Sequence, residues 1–97
     1  MEEVYHLDGN GPVVLVIHQD ESVAEAARAA LEKQGFVIEE AREGNAGIQK
    51  IYQLVPDIVL VGSGVPELNG YQICRVVKND PTMRKIPILL VSDVAEK

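Results

Sequence analysis

The chain has one cysteine, no tryptophan, few aromatic residues and fewer basic than acidic side chains among its 97 residues. A lone Cys74 excludes an internal disulfide and a cysteine-based metal cage. No apolar stretch approaches the ~20 residues of a transmembrane helix, and the acidic N-terminus lacks the apolar core of a signal peptide. The net charge of −6 disfavours nucleic acid and anionic lipid as partners, because phosphates would be repelled. We therefore expect a cytoplasmic protein with no nucleic-acid or membrane partner.

Four continuous apolar runs alternate with amphipathic segments and predict an α/β fold. The runs cover residues 13–17, 36–38, 57–61 and 86–91, and such runs are typical of strands buried on both faces of a parallel sheet. Helical spacing lies between them over 22–34, 45–55 and 70–79. Ser22 is the predicted N-cap of the first helix with Glu25 as its capping-box partner, and Gly35 and Pro56 are stop signals. The alternation predicts right-handed βαβ units.

Residues 1–11 differ from the rest and are predicted to be an N-terminal extension to a domain over 12–97. The apolar stretch 4–7 is followed by the turn signal Asp-Gly-Asn-Gly at 8–11. This stretch is either a short strand before a reversal or a frayed end.

Several spaced segments carry a family resemblance. They are AREG at 41–44, PDIVLV at 56–61, VPELNGY at 65–71 and IPILLVS at 86–92. With these segments the chain resembles the receiver domain of bacterial response regulators, the phosphoacceptor module of two-component signalling, over about residues 12–93. The resemblance implies a flavodoxin-like three-layer sandwich with a parallel sheet of order 2-1-3-4-5. The chain would hold a truncated sheet of order 2-1-3-4, lacking the fifth strand and the last helix.

The resemblance also implies a set of functional positions, and most are altered here. The family uses a phosphoacceptor aspartate ending the third strand and two acids after the first strand that hold Mg²⁺. These positions fall on Gly62, His18 and Gln19. Ser92 matches the switch hydroxyl that ends the fourth strand, and the lysine ending the fifth strand has no counterpart. We therefore predict a degenerate receiver, or pseudo-receiver, with no catalytic residue, cofactor or metal site.

The polar residues near these positions allow other roles. His18 could be a phosphohistidine, a metal ligand or a pH switch, although we favour a strand-end histidine that hydrogen-bonds a loop. Asp20 is expected to accept backbone amides at the start of the first helix. Ser63 lacks a recognisable activating base. Gly62-Ser63-Gly64 is similar to the start of a phosphate-binding loop, but Glu67 stands at the third glycine position.

The predicted fourth strand is the basis of an expected interaction surface. Without a fifth strand it is an edge strand with no charged residue, formed by Ile88, Leu89, Leu90 and Val91. The sheet face beside the first helix would also expose apolar surface. We expect a homodimer that pairs these strands or packs the first helices together. Alternatively, residues 4–7 lie along the edge, the chain is an engineered fragment, or residues 92–97 rearrange to cover the edge in a monomer.

Together these features favour a non-catalytic signalling module that acts by protein–protein interaction and self-association, without aspartyl phosphorylation. A second signalling protein is the other expected partner. The alternative is a response regulator that is phosphorylated on an unorthodox residue such as His18, or that binds a small ligand at the strand ends.

Overall fold

Four parallel strands form one sheet in the computed structural model, which describes residues 11–92. The strands β1 (Val13–Ile17), β2 (Val37–Ala41), β3 (Ile58–Gly62) and β4 (Ile88–Val91) lie in the order β2-β1-β3-β4. Three helices connect them, α1 (Glu21–Leu31), α2 (Gly44–Leu54) and α3 (Gly70–Lys78), and a 3₁₀ turn at Glu32–Gln34 follows α1. This is the predicted flavodoxin-like order 2-1-3-4. The stretch at 4–7, for which a short strand and a frayed end were both left open, lies outside the described residues.

The sheet is buried on both faces, which makes three layers. Alternate strand residues point to opposite faces, so each strand supplies two cores. One core lies under α2 and α3 and contains Leu15, Ile17, Ile51, Val59, Val61, Ile73 and Val77. The other lies under α1 and contains Val14, Val16, Ala24 and Ile38. The apolar runs of the central strands β1 and β3 therefore pack on both faces, as expected, whereas β4 has no fully buried residue.

The start of α1 differs from the sequence-based prediction. Asp20, and not Ser22, is the N-cap: its side chain accepts a hydrogen bond from the Ser22 amide, and the helix begins at Glu21. The capping box predicted with Glu25 is therefore wrong. Aspartate is a preferred N-cap residue, and Asp20 lies immediately before the first helical residue, so its carboxylate reaches the amide at the second helical position. The predicted stop at Gly35 is confirmed, because this glycine adopts φ 95°.

The two edge strands of the described sheet differ in chemistry. The β2 edge carries Glu39 and Glu40, which pair with Lys50 and Arg28 at 3.7 and 3.4 Å. The β4 edge has no charged residue, and Leu89 and Leu90 are 52% and 40% exposed. Charges on an edge strand discourage pairing with another chain, so only β2 has this protection.

No helix within residues 11–92 is long and apolar enough to span a bilayer.

Candidate functional site

The carboxyl ends of β1 and β3 bring His18 and Gly62 together. Ile17 pairs with Val61 in the β1–β3 register, so the residues that follow them are neighbours. Gly62 pairs with Val91 in the β3–β4 register, which places Ser92 one residue beyond that pair. Three of the four candidate positions therefore lie together at the carboxyl-terminal end of the sheet, as the topology predicts. They are His18, Gly62 and Ser92.

The imidazole of His18 lies directly against Gly62. A Cβ atom built on Gly62 would be 2.7 Å from Cδ2 and 3.2 Å from Nε2 of His18, and 3.2 Å from Cγ2 of Val65. His18 is only 5% exposed and is the buried polar residue of the described core. The space that a side chain at position 62 would need is thus filled by the histidine. The resemblance placed both positions in one site, but the direct contact of the ring with residue 62 was not predicted.

Hydrogen bonds fix the position of His18. Its Nδ1 accepts from the Asp20 amide at 3.0 Å, and its own amide donates to the Ala41 carbonyl at 2.9 Å. The prediction that His18 hydrogen-bonds a loop at the strand end is confirmed. An accepting Nδ1 places the proton of a neutral imidazole on Nε2.

Asp20 has the structural role expected of it. Its carboxylate accepts from the Ser22 amide at 3.0 Å and caps α1. The hydrogen bonds from Ser22 outweigh desolvation and hold the pKa of the Asp20 carboxyl below its ordinary value. The carboxylate is therefore engaged with the helix start.

The remaining predicted residues lie around the carboxyl-terminal ends of the strands. Gln19 and Ser92 are exposed. Ser63 contributes through its backbone, donating to the Val91 carbonyl at 3.0 Å and accepting from the Gly70 amide at 3.3 Å. Within residues 11–92 no three His, Cys, Asp or Glu side chains come together as a metal-binding group.

A pair of acidic residues nearby was not foreseen from the sequence. Glu43, before α2, contacts Glu67 in the β3–α3 loop through a side-chain hydrogen bond that raises the pKa of the Glu43 carboxyl. Asn45 donates to Glu67 at 2.7 Å, and Glu67 adopts φ 76°. Only the fold brings these loops together, since 24 residues separate Glu43 from Glu67 in the chain.

Comparison with known proteins identifies the family. The family model described as the response regulator receiver domain matches residues 14–97. The chain belongs to the response regulator receiver family. This receiver domain is 31% identical over 83 residues to the transcriptional regulatory protein CseB of Streptomyces avermitilis, covering 86% of the chain and 34% of that protein.

Two further relatives agree in sequence and in structure. Protein PilG of Pseudomonas aeruginosa is 30% identical over 83 residues, which are 86% of this chain and 62% of PilG. The receiver domain of a signal transduction histidine kinase from Syntrophus aciditrophicus superposes with a TM-score of 0.80 at 27% identity, covering 89% of this chain and 65% of that one. The chain thus spans about a third of CseB, 62% of PilG and 65% of the solved receiver-domain chain.

The residues at the carboxyl-terminal end of the sheet do not fit the Mg²⁺ ion implied by the family's phosphoryl chemistry. Mg²⁺ prefers a nearly octahedral shell of oxygen ligands. His18 offers a nitrogen that already accepts the Asp20 amide, and Gly62 offers no side chain. The carboxylate of Asp20, two residues after His18, already accepts from the first turn of α1.

Proposed function

We propose that this receiver domain acts in two-component signalling as a protein-binding module whose strand-end site is not phosphorylated and catalyses no reaction. The observation that carries the proposal is the filling of the acceptor position: Gly62 has no side chain, and the His18 imidazole lies against it. An aspartyl phosphate needs a carboxylate at this place. The buried ring of His18, with Nδ1 accepting from a backbone amide, also disfavours a phosphohistidine.

Incubation with acetyl phosphate and Mg²⁺, followed by intact-mass measurement, tests this proposal. We expect no mass increase in the wild-type chain under conditions that phosphorylate a receiver with an intact acidic site, used as the positive control. A stable gain of one phosphoryl group that disappears in His18→Asn would support the alternative of an unorthodox phosphoacceptor. A gain that persists in that variant would place the acceptor elsewhere. Either gain refutes the proposal.

The proposed interaction surface is the edge of β4, and the proposed occupant is a second copy of the chain. This edge has no charged side chain to oppose strand pairing, in contrast to the β2 edge. Leu89 and Leu90 are more than a third exposed and lie on opposite faces of the strand, so a paired strand would cover apolar groups on both faces. The small residues Ala26, Ala29 and Ala30 of α1 are exposed and leave helix packing as the other mode of self-association.

Sedimentation at micromolar concentration tests self-association through β4. We expect a dimer for the wild-type chain and a monomer for Leu89→Lys, because a lysine on the edge opposes strand pairing. Val76→Lys is the matched control, since Val76 is also an exposed apolar residue (40%) but lies on α3, and this variant should remain dimeric. A monomeric wild-type chain contradicts the proposal. Equal dissociation by both substitutions would show that the β4 edge is not the interface.

A further inference from the structure

We infer that His18 is a built-in occupant of the acceptor position, which organises the strand-end loops, and that residue 62 is glycine in order to admit it. This inference goes beyond the absence of phosphorylation, because it assigns a positive role to both residues. In a receiver with a working site, a phosphoryl group and a metal ion would occupy the carboxyl-terminal end of the sheet. Here a side chain of the same chain does so permanently.

The backbone at position 62 gives no other reason for glycine. Among the described residues the glycine with positive φ is Gly35, so Gly62 lies in the extended conformation of its strand, which any residue can adopt. Glycine in a strand is itself unfavourable, because it loses more backbone entropy on folding than alanine does. The requirement at position 62 is therefore one of space.

The space is restricted mainly by the imidazole. A Cβ atom at position 62 would approach Cδ2 of His18 to 2.7 Å, a distance that real Cβ contacts essentially never show, whereas Cγ2 of Val65 would be 3.2 Å away. The ring would have to turn away. Turning would break the bond from the Asp20 amide to Nδ1 and expose a ring that is now 5% exposed.

The backbone and ring of His18 together connect several elements. The His18 amide bonds to the end of β2 at Ala41, and its Nδ1 bonds to the Asp20 amide. Asp20 in turn caps α1 through Ser22. The opposite edge of the ring, Cδ2 and Nε2, lies against the end of β3. His18 thus acts as a positioning residue for the β1–α1 loop and the start of α1.

A double-mutant cycle tests the steric half of the inference. We expect Gly62→Ala to lower the Tm of the wild-type chain by about 5–10 °C, the size of an overpacking defect. In a His18→Asn background the same substitution should leave Tm unchanged or raise it. Asparagine can place an oxygen where Nδ1 lies, but it lacks the ring edge that faces position 62. Gly64→Ala is the control, because nothing lies within 4 Å of its added Cβ, and it should act equally in both backgrounds. Equal destabilisation by Gly62→Ala in both backgrounds would overturn the inference.

Nuclear magnetic resonance tests the positioning half. In the wild-type chain the imidazole nitrogens of His18 should report the tautomer with the proton on Nε2, and the Asp20 amide should be protected from hydrogen exchange. This protection should persist in His18→Asn and be lost in His18→Ala. Protection that is the same in all three proteins would refute the positioning role. The inference rests on the same contact of His18 with Gly62 as the proposed function. None of these measurements uses a phosphodonor, so their failure can be told apart from a gain of phosphate.

Discussion

Among the single residues of this receiver domain, Val55 has an unfavourable backbone conformation. Val55 follows α2 and adopts φ 45° and ψ 65°, the left-handed region that L-residues avoid and that β-branched residues rarely enter. Its amide still bonds to the Ile51 carbonyl and closes the helix. The side chain is 55% exposed and so contributes little burial in return.

We expect Val55→Gly to stabilise the domain by roughly 0.5–1 kcal/mol. Relief of left-handed strain is worth about 1–2 kcal/mol, and the added entropy of glycine in the unfolded chain offsets about half of it. Urea denaturation measures the difference. Val55→Ala is the control: it retains Cβ and should gain less. A destabilised glycine variant would show that the valine side chain has a packing role which outweighs the strain.

Glu43 is a second residue whose environment has a measurable effect, here on its pKa. Its pKa is raised above the ordinary value of 4.5 because its protonated form is hydrogen-bonded to Glu67, with desolvation and the Glu67 charge adding to the effect. Because the pKa of Glu43 is higher in the folded state, its protonation stabilises the fold, and this stabilisation is complete at a pH below the pKa of Glu43 in the unfolded chain. The contribution is lost as pH rises through the folded value.

Glu67→Gln should return the pKa of Glu43 towards its ordinary value, because an amide can donate a hydrogen bond to an ionised Glu43, so the bond no longer requires the protonated form, and because the neighbouring negative charge is removed. A carboxyl titration of Glu43 by nuclear magnetic resonance, in wild type and variant, measures the change. The pH dependence of stability just above pH 4.5 should weaken in parallel. Glu25→Gln on the exposed side of α1 should leave the Glu43 titration where it is. An unchanged Glu43 titration in Glu67→Gln would contradict the coupling of the two loops.

At the scale of elements, the first residue of α2 packs against the β3–α3 loop, and the first residue of α3 packs against the end of β3. The Gly44 amide donates to the Pro66 carbonyl at 2.9 Å. A Cβ atom on Gly44 would lie 2.3 Å from the backbone oxygen of Leu68, and one on Gly70 would lie 2.7 Å from the oxygen of Gly62. Backbone atoms cannot turn aside as a side chain can, so both helices depend on glycine at their first residue.

We expect Gly44→Ala and Gly70→Ala each to destabilise the domain by about 1–3 kcal/mol, since each added methyl group meets backbone. Chemical denaturation measures the loss. The matched control is Gly64→Ala, for which the structure leaves open space around the new Cβ, and it should cost less than about 0.5 kcal/mol. Similar costs for all three variants would mean that close approach is not what restricts these sites.

Element type and strand order could be predicted from the sequence, whereas contacts across loops could not. Continuous apolar runs and the segments shared with receiver domains were enough for the order 2-1-3-4 and for placing Gly62, His18 and Ser92 at one edge. The predicted cap at Ser22 was wrong because several polar residues near a helix start can reach the same amides. The contacts of His18 with Gly62 and of Glu43 with Glu67 depend on side-chain directions and loop paths. Periodicity carries no information about these.

At the scale of the whole molecule, the domain keeps the receiver framework, and we propose that its strand-end site is not phosphorylated. Position 62 has no side chain, and the imidazole that fills its place also bonds to the β1–α1 loop. We therefore expect the strand-end loops to stay in one arrangement whether or not a phosphoryl mimic is present.

The most direct measurement is a comparison of amide spectra of the domain with Mg²⁺ alone and with Mg²⁺ plus beryllofluoride, a mimic of the phosphoryl group. We predict unchanged resonances for residues 18–20, 62–64 and 92 in both conditions. A receiver with an intact acidic site, measured in parallel, should shift at the corresponding loops. Saturable shifts of the His18, Gly62 or Ser92 resonances in this domain would contradict the account.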